Sequence, residues 1–222
     1  MCGRFTLAID LDTLIDAFPE FKPPATLQPR YNIAPTQPIA AIANDGQQQV
    51  TFFHWGLVPS WAKDRTIGAR MINARAETLA EKPAFRAAYR RRRCLILADG
   101  FYEWRKEPGS KRKTPFYIHM ASGAPFAFAG LWELWRPDES PLYSCTIITT
   151  EPNALVAPIH NRMPVILPTA AYDDWLDPAE RNPAGLQKLL QPYPTSEMAA
   201  TPVSTLVNNP ANETPDCIQP TA

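Results

Sequence analysis

The chain of 222 residues is 45% hydrophobic and 10% aromatic, which is enough to bury a substantial core. No stretch approaches the roughly 20 apolar residues of a membrane span and the N-terminus lacks the features of a secretory signal, so we expect a cytoplasmic protein without membrane contact. The net charge is zero, but residues 1–113 carry 18 Lys and Arg against 11 Asp and Glu, and this basic half suggests a phosphate-binding face.

The chain opens with MCGRF, which places a cysteine directly behind the initiator methionine. Methionine is removed when the second side chain is small, so the mature chain could begin with Cys2. That residue would then carry both an α-amine and a thiol. Taken alone, the stretch favours a frayed terminus, in which one small residue serves as well as another.

Runs rich in β-branched and aromatic residues dominate the middle of the chain and predict strands over 49–57, 94–104, 114–120, 126–134, 143–150 and 164–167. Helical periodicity predicts helices over 10–18, 77–91, 151–159, 169–176 and 182–191. Thr150 is the predicted N-cap of the third helix, because Pro152 follows in its first turn. No repeat period is evident, and the pattern indicates one α+β domain.

Residues 192–222 are rich in Pro, Thr and Asn, which predicts an extended tail over the surface. The basic run RRRR at 90–93 is typical of a solvated helix end. The four cysteines are scattered without a CxxC pair and the three histidines show no ligand spacing, which argues against a zinc site and a disulfide scaffold. We therefore expect reduced thiols, no metal and no other cofactor.

Three stretches put polar groups inside apolar runs, where burial is costly without partners: INARAET (72–78), DGFYEW (99–104) and APIHNRMP (157–164). Glu103 lies between two aromatic residues, an environment that tends to raise the pKa of a carboxylic acid, and His160 titrates near neutrality. If the two converge, they could shuttle protons at cellular pH. An outward-facing Glu103 and a satisfied histidine at a helix end are alternatives that each residue alone supports at least as well.

Eight stretches together carry a family resemblance: MCGRF (1–5), RYNIAP (30–35), WGLVPSW (55–61), MINARAET (71–78), RCLILADGFYEW (93–104), TPFYIH (114–119), AGLW (129–132) and IHNRMPVIL (159–167). In order and spacing they resemble the SRAP family, named for SOS-response-associated peptidase, which includes proteins that crosslink to abasic sites in DNA. The resemblance implies a single α+β domain over residues 2–210, with a mainly antiparallel, barrel-like β core flanked by short helices. Residues 211–222 would follow as a C-terminal tail.

The resemblance also implies a chemistry for Cys2, which as the mature N-terminal residue would trap the aldehyde of a ring-opened abasic deoxyribose. An α-amine with a pKa of about 7.7–8.0 is substantially neutral at cellular pH and forms a Schiff base, to which the thiol adds to close a five-membered thiazolidine. Asn73 is the implied holder of Cys2 and the sugar. Glu103 is the implied acid/base that helps to expel water, and His160 is implied in ring opening.

A DNA-contacting surface is implied by the same resemblance. Guanidinium groups that clamp phosphates and side chains that cradle or wedge bases are carried over to Arg4, Asn32, Pro35, Trp61, Arg75, Trp104 and Arg162. For the two tryptophans, core packing is the alternative. The implied partner is single-stranded DNA that contains abasic sites, bound by a monomer in the cytoplasm, at the nucleoid if the source is bacterial.

Two other functions stay open on the sequence. Cys2 could be the N-terminal nucleophile of a cysteine peptidase, with its own amine as base and Met1 removal as one reaction. A noncatalytic module for binding single-stranded DNA would need only the basic half and the aromatic residues. Crosslinking makes the protein an enzyme with possible lyase and peptidase activities. Blocking the N-terminal amine discriminates the three functions: crosslinking requires that amine, simple DNA binding does not, and a thiol peptidase that uses another base would keep its activity.

Overall fold

The computed structural model describes residues 2–110, 112–137, 140–179 and 182–221. The strands are β1 (Phe5–Leu7), β2 (Arg30–Ile33), β3 (Pro38–Ala43), β4 (Val50–Trp55), β5 (Asn73–Arg75), β6 (Arg93–Ala98), β7 (Gly100–Lys106), β8 (Lys113–Met120), β9 (Phe126–Trp135), β10 (Leu142–Thr150), β11 (Met163–Pro164), β12 (Ile166–Leu167) and β13 (Met198–Pro202). The α-helices are α1 (Leu11–Ala17), α2 (Arg86–Arg91), α3 (Tyr172–Leu176) and α4 (Pro183–Gln187). None of the helices in these ranges is long and apolar enough to cross a membrane.

Five strands close into a barrel in the order β4, β3, β6, β9 and β10. Neighbouring strands are antiparallel except β10 and β4, whose parallel pairing completes the ring. All six residues of β6 are buried, and α2 and α3 pack against this strand. Gly130 on β9 allows the close packing, since a Cβ there would lie 2.7 Å from Ile96 and 2.8 Å from Cys94. The predicted α+β fold with a barrel-like core and short flanking helices is confirmed.

A second sheet, antiparallel throughout, has the order β13, β8, β7, β1 and β2. Within it β1 lies between β2 and β7, with Phe5 opposite Phe101. Two short strands extend the barrel at β10, where β5 pairs in parallel and β11 pairs antiparallel. The start of the chain is thereby fixed beside β7, the strand that carries Glu103.

Two predicted elements differ from the structure. The strand expected over 94–104 is two strands in different sheets, because Asp99 interrupts it and accepts hydrogen bonds from Thr6 Oγ1 and the backbone N of Ala8. The helix expected over 151–159 is wrong, since residues 154–159 form turns. Thr150 ends β10 instead of capping a helix.

The helix predicted over 77–91 is shorter than expected. Only Arg86–Arg91 is α-helical, after a 3-10 turn at Ala76–Thr78 and an irregular stretch that contains Pro83. Proline lacks the backbone donor that a helix interior needs, so the break falls where the sequence places this residue. Both parts stay beside the barrel, where they contact β10 and β9 respectively.

The C-terminal segment is not an extended tail over 192–222. Strand β13 pairs along the length of β8, and Val207 and Cys217 are buried beyond it. The Glu213 carboxylate accepts a 2.8 Å hydrogen bond from the backbone N of Asn32 on β2. Composition predicted a surface segment because apolar residues are few, yet Met198, Val203, Val207 and Cys217 are buried, and polar contacts to β2 add to the attachment. The boundary at residue 210 stays a prediction, although Glu213 and Cys217 lie beyond it and pack on the same sheet.

Candidate active site

Cys2 leads into β1 and is fully buried. Its carbonyl oxygen accepts a 2.7 Å hydrogen bond from Nδ2 of Asn73, and its Sγ lies 3.7 Å from the carbonyl oxygen of Arg4. Burial raises the pKa of the Cys2 thiol, and the charge of Glu103 raises it further. The thiol is therefore protonated in this state, so it is not a thiolate ready to attack.

Asn73 begins β5, where the pairing with β10 places it opposite Ile147. One half of its amide binds Cys2, as described. The other half, Oδ1, is buried and accepts no hydrogen bond from the described residues. A buried polar atom without a partner costs about 1–3 kcal/mol, so this acceptor is set up for a donor group on a ligand.

Glu103 lies in the middle of β7, opposite Phe116 on β8, and only 3% of it is exposed. Burial raises the pKa of its carboxyl group to about 7, whereas the positive charge of Lys113 acts in the opposite direction. The acid form therefore persists to neutrality. The raised pKa expected from the sequence is confirmed, with burial as its main cause.

His160 follows the turns after β10, and its backbone N donates to the carbonyl oxygen of Val156 at 2.9 Å. The ring Nδ1 lies 3.1 Å from both the backbone N and the carbonyl O of Arg162, which fixes the imidazole, and 3.9 Å from Oε1 of Glu103. Burial lowers the pKa of His160, so its ring is neutral at cellular pH. A neutral imidazole next to an acid that protonates near pH 7 is suited to proton transfer.

The three arginines predicted to clamp phosphates are placed differently. Arg75 is exposed at the end of β5, and its side chain has no hydrogen bond to the described part of the chain. Arg162 donates from Nη1 and Nη2 to the two carboxylate oxygens of Glu77, at 2.7 and 3.0 Å. Arg4 points inward, and its Nη1 donates to Asn32 Oδ1 and to a backbone carbonyl of the C-terminal segment, each at 2.7 Å. Arg4 thus serves the fold rather than the surface.

The four residues predicted to contact bases also differ in their exposure to solvent. Trp61 is 61% exposed, whereas Pro35 and Trp104 are half-buried. Trp104 Nε1 donates to Asn208 Oδ1 at 2.7 Å. Asn32 does not fit its predicted role, because it is fully buried and has no surface that a base could reach. Its Nδ2 instead donates to three carbonyl oxygens of the C-terminal segment, at residues 207, 209 and 212.

Two charged residues at the site had no role in the sequence analysis. Lys113 begins β8 opposite Lys106, and its positive charge lowers the pKa of both Glu103 and His160. Its only signal in the sequence was a basic run. Glu77, the partner of Arg162, is one of the polar residues of the INARAET stretch, but no role was predicted for it. No group of three or more His, Cys, Asp and Glu side chains in the described ranges could hold a metal ion.

Cys2 lies with an amide that binds its carbonyl oxygen and with a buried acid whose charge raises the pKa of its thiol, and an imidazole lies 3.9 Å from that acid. These groups come from four different segments and form a candidate site for nucleophilic chemistry. The family model described as "SOS response associated peptidase (SRAP)" matches residues 1–210. The chain belongs to the SRAP family.

Relatives and solved structures agree with this membership over almost the whole chain. The "Abasic site processing protein YoqW" of Bacillus subtilis (strain 168) is 51% identical over 223 residues, which cover 99% of each chain. The "Abasic site processing protein HMCES" of Rattus norvegicus is 30% identical over 99% of this chain and 76% of its own length. A crystal structure of a protein from Bacteroides thetaiotaomicron superposes with a TM-score of 0.89 at 26% identity and covers 100% of both chains.

Proposed function

We propose that this protein recognises abasic sites in single-stranded DNA and crosslinks to them through Cys2 after Met1 has been removed. The observation that carries the proposal is the convergence of two half-buried groups on the buried Cys2 and Glu103: Asn73 donates to the Cys2 carbonyl, and the His160 ring lies 3.9 Å from Glu103. Relatives named for abasic site processing, at 51% and 30% identity, give it independent support. The protein acts as a monomer in the cytoplasm, without a metal or cofactor.

The reaction begins with opening of the abasic sugar. The hydroxyl proton at C1′ leaves, the bond between C1′ and the ring oxygen breaks, and that oxygen takes a proton, which yields an aldehyde and a hydroxyl group. His160 is the group that moves these protons, because its ring is neutral and held by the backbone of Arg162. The neutral form can accept the hydroxyl proton and return it to the ring oxygen.

The α-amine of Cys2 then adds to the aldehyde carbon and gives a carbinolamine. Glu103 donates a proton to the carbinolamine hydroxyl, which leaves as water. The Glu103 carboxylate then takes the remaining proton from the nitrogen, which gives the imine and restores the acid. Its pKa of about 7 keeps a substantial share of the acid form available at cellular pH. Asn73 holds the Cys2 carbonyl, and its open Oδ1 accepts a hydrogen bond from a hydroxyl group of the sugar.

The Cys2 thiol closes the product by adding its sulfur to the imine carbon, while its proton ends on the nitrogen. Both nucleophiles belong to one residue, so the five-membered ring closes with little loss of entropy. Burial keeps the thiol protonated beforehand, which protects it from side reactions until the imine is formed. Closure also removes the imine that strand cleavage by β-elimination would require, so lyase activity is a side reaction.

DNA reaches this cluster across a surface formed by Arg75, Arg162 and Trp61. The guanidinium groups bind phosphates, and the exposed indole stacks on a base next to the lesion. A single strand is the substrate, because stacking on Trp61 needs an unpaired base. Trp104 follows Glu103 on β7, so its side chain lies on the opposite face of the sheet, where it packs with Tyr102 and binds Asn208 of the C-terminal segment.

Intact mass spectrometry before and after incubation with an abasic oligonucleotide tests the proposal. The protein is expected to lack Met1, and the adduct to have the summed mass of protein and oligonucleotide minus one water. An oligonucleotide with an intact base and a protein with a chemically blocked N-terminal amine are the controls, and both should stay unmodified. An adduct with the blocked protein would exclude the amine as nucleophile, and processing of peptides without any DNA adduct would favour the peptidase.

A further inference from the structure

The ion pair between Arg162 and Glu77 is not explained by the proposed function. Nη1 and Nη2 of Arg162 each bind one carboxylate oxygen of Glu77, and Nη2 also donates to the carbonyl oxygen of Thr149 at 2.6 Å. The Arg162 side chain is 15% exposed, whereas that of Glu77 is 50% exposed. The arginine is therefore anchored in the fold, and its carboxylate partner stands at the surface.

Counting donors shows what this pair does to phosphate binding. A guanidinium has five N–H groups, and it binds phosphate best through two parallel N–H bonds. Glu77 takes the pair at the tip of Arg162, Thr149 takes the second hydrogen of Nη2, and Nε is buried without a partner in the described chain. No accessible pair of parallel donors remains, so a phosphate cannot bind Arg162 in the bidentate manner while Glu77 stays in place.

The position of the pair links it to both parts of the proposed site. Glu77 follows the exposed Arg75 by two residues, and Arg162 follows His160 by two residues and contacts its ring. Both arginines also flank Thr149 of β10, because Arg75 pairs with this residue and Arg162 donates to its carbonyl oxygen. The Glu77 carboxylate bound to Arg162 therefore lies in the same region as Arg75. A strand that approaches Arg75 meets a negative charge that occupies the next phosphate site.

We infer that Glu77 is a specificity-determining residue of the DNA-binding surface: its carboxylate occupies the phosphate site of Arg162 in the free protein, and a DNA phosphate displaces it. This inference rests on the proposed function. The carboxylate competes at the high effective concentration of an intramolecular ligand. Intact strands therefore bind more weakly than the arginines alone would allow, and a strand whose abasic sugar also engages the buried cluster overcomes the competition.

A set of variants tests the competition through binding of an intact single-stranded oligonucleotide at fixed salt. Glu77→Gln should bind about two- to fivefold more tightly than wild type, the scale of an exposed ion pair. Glu77→Asp, whose side chain is one methylene shorter and reaches Arg162 less well, should lie between the two. Glu81→Gln is the matched control, because it removes the same charge from an exposed residue four positions along; it should change affinity less than about 1.5-fold.

A double variant identifies the route of the effect. If Glu77 acts by occupying Arg162, then Glu77→Gln should give no gain in an Arg162→Ala background, and the two mutations should be non-additive. A purely structural defect in Glu77→Gln would weaken binding of the intact oligonucleotide instead of tightening it, and it would do so in the Arg162→Ala background as well.

Three outcomes would overturn the inference. Weaker binding by Glu77→Gln would mean that Glu77 holds Arg162 in place for DNA, and an equal gain in Glu81→Gln or in the Arg162→Ala background would mean a general effect of charge. Failure of the proposed function is distinct from these, because wild-type protein would then form no adduct with the abasic oligonucleotide, whatever the relative affinities of the variants.

Discussion

The buried cluster around Cys2 and the surface around it are built from the same kinds of polar residue, yet the fold uses them differently. The four residues predicted as catalytic come together through the hydrogen bond from Asn73 to Cys2 and the approach of His160 to Glu103, with Cys2 and Glu103 buried and the other two half-buried. On the surface, Arg75 stays open, whereas Arg4 is turned inward to bind the C-terminal segment.

The difference has a physical origin in what each environment demands. A polar residue in a buried strand must meet a partner, so its presence in an apolar run limits where it can lie. An arginine near the surface is satisfied equally by water, a carboxylate or a carbonyl oxygen. The interior motif therefore predicts geometry, whereas a surface motif predicts only a residue type.

Cys2→Ala tests the interior and should have the largest effect. Without the thiol the ring cannot close, so the heat-stable adduct should be lost completely, at least about 100-fold below wild type. A labile imine through the remaining α-amine should still be trapped by a reducing agent. Cys94→Ala, at a buried cysteine of the barrel, should keep the stable adduct; a heat-stable, unreduced adduct in Cys2→Ala would contradict the thiazolidine.

Glu103→Gln should slow adduct formation by about 100-fold, the lower range for loss of a general acid. The wild-type rate should fall as pH rises through about 7, because burial raises the pKa of Glu103 to that value and the acid form is lost above it. Glutamine does not titrate, so this dependence should be absent in the variant. Single-turnover rates between about pH 5.5 and about pH 8.5 measure both effects. The same pH profile in Glu103→Gln as in wild type would exclude Glu103 from the dehydration step.

Asn32→Ala tests whether Asn32 stabilises the fold or belongs to the DNA-binding surface. The variant removes a buried amide that donates to three backbone carbonyls, so the free energy of unfolding should fall by about 2–4 kcal/mol. Urea denaturation measures the change. Asn209→Ala, an exposed amide in the same segment, should cost less than about 1 kcal/mol. If Asn32→Ala lowers the free energy of unfolding by less than about 1 kcal/mol, the structural role of Asn32 is contradicted and its predicted role in DNA contact stands.

Much of the fold could be predicted from the sequence because buried strands are nearly continuous apolar runs, as in β6 and β9. The convergence of the residues around Cys2 could be predicted from their motifs, because a polar residue in an apolar run must meet a partner. The position of Asn32 was not, since it depends on carbonyl groups about 180 residues later in the chain. Arg93 shows the same limit: it belongs to a run typical of a solvated helix end, but it is fully buried, with its guanidinium bound to the carbonyl oxygen of Trp175.

The prediction with the smallest expected effect concerns Arg75 and Arg4, which were both predicted from the sequence to bind phosphates. Arg75 is exposed, so if it binds one phosphate of a single strand, Arg75→Ala should reduce the slope of log affinity against log salt by about 0.7 to 1. Arg4 donates to Asn32 and Val207 inside the fold, so Arg4→Ala should leave that slope unchanged and lower the free energy of unfolding by about 1–3 kcal/mol.

Binding of an intact oligonucleotide at several salt concentrations, together with urea denaturation, shows whether each arginine binds DNA or stabilises the fold. Lys188→Ala, at an exposed lysine after α4, is the control for loss of a positive charge outside the site and should change neither quantity. A reduced slope in Arg4→Ala with unchanged stability would mean that Arg4 leaves its internal partners when DNA binds. The division between an interior that reacts and a surface that recognises would then be a property of the free protein only, because binding would recruit an arginine from the fold.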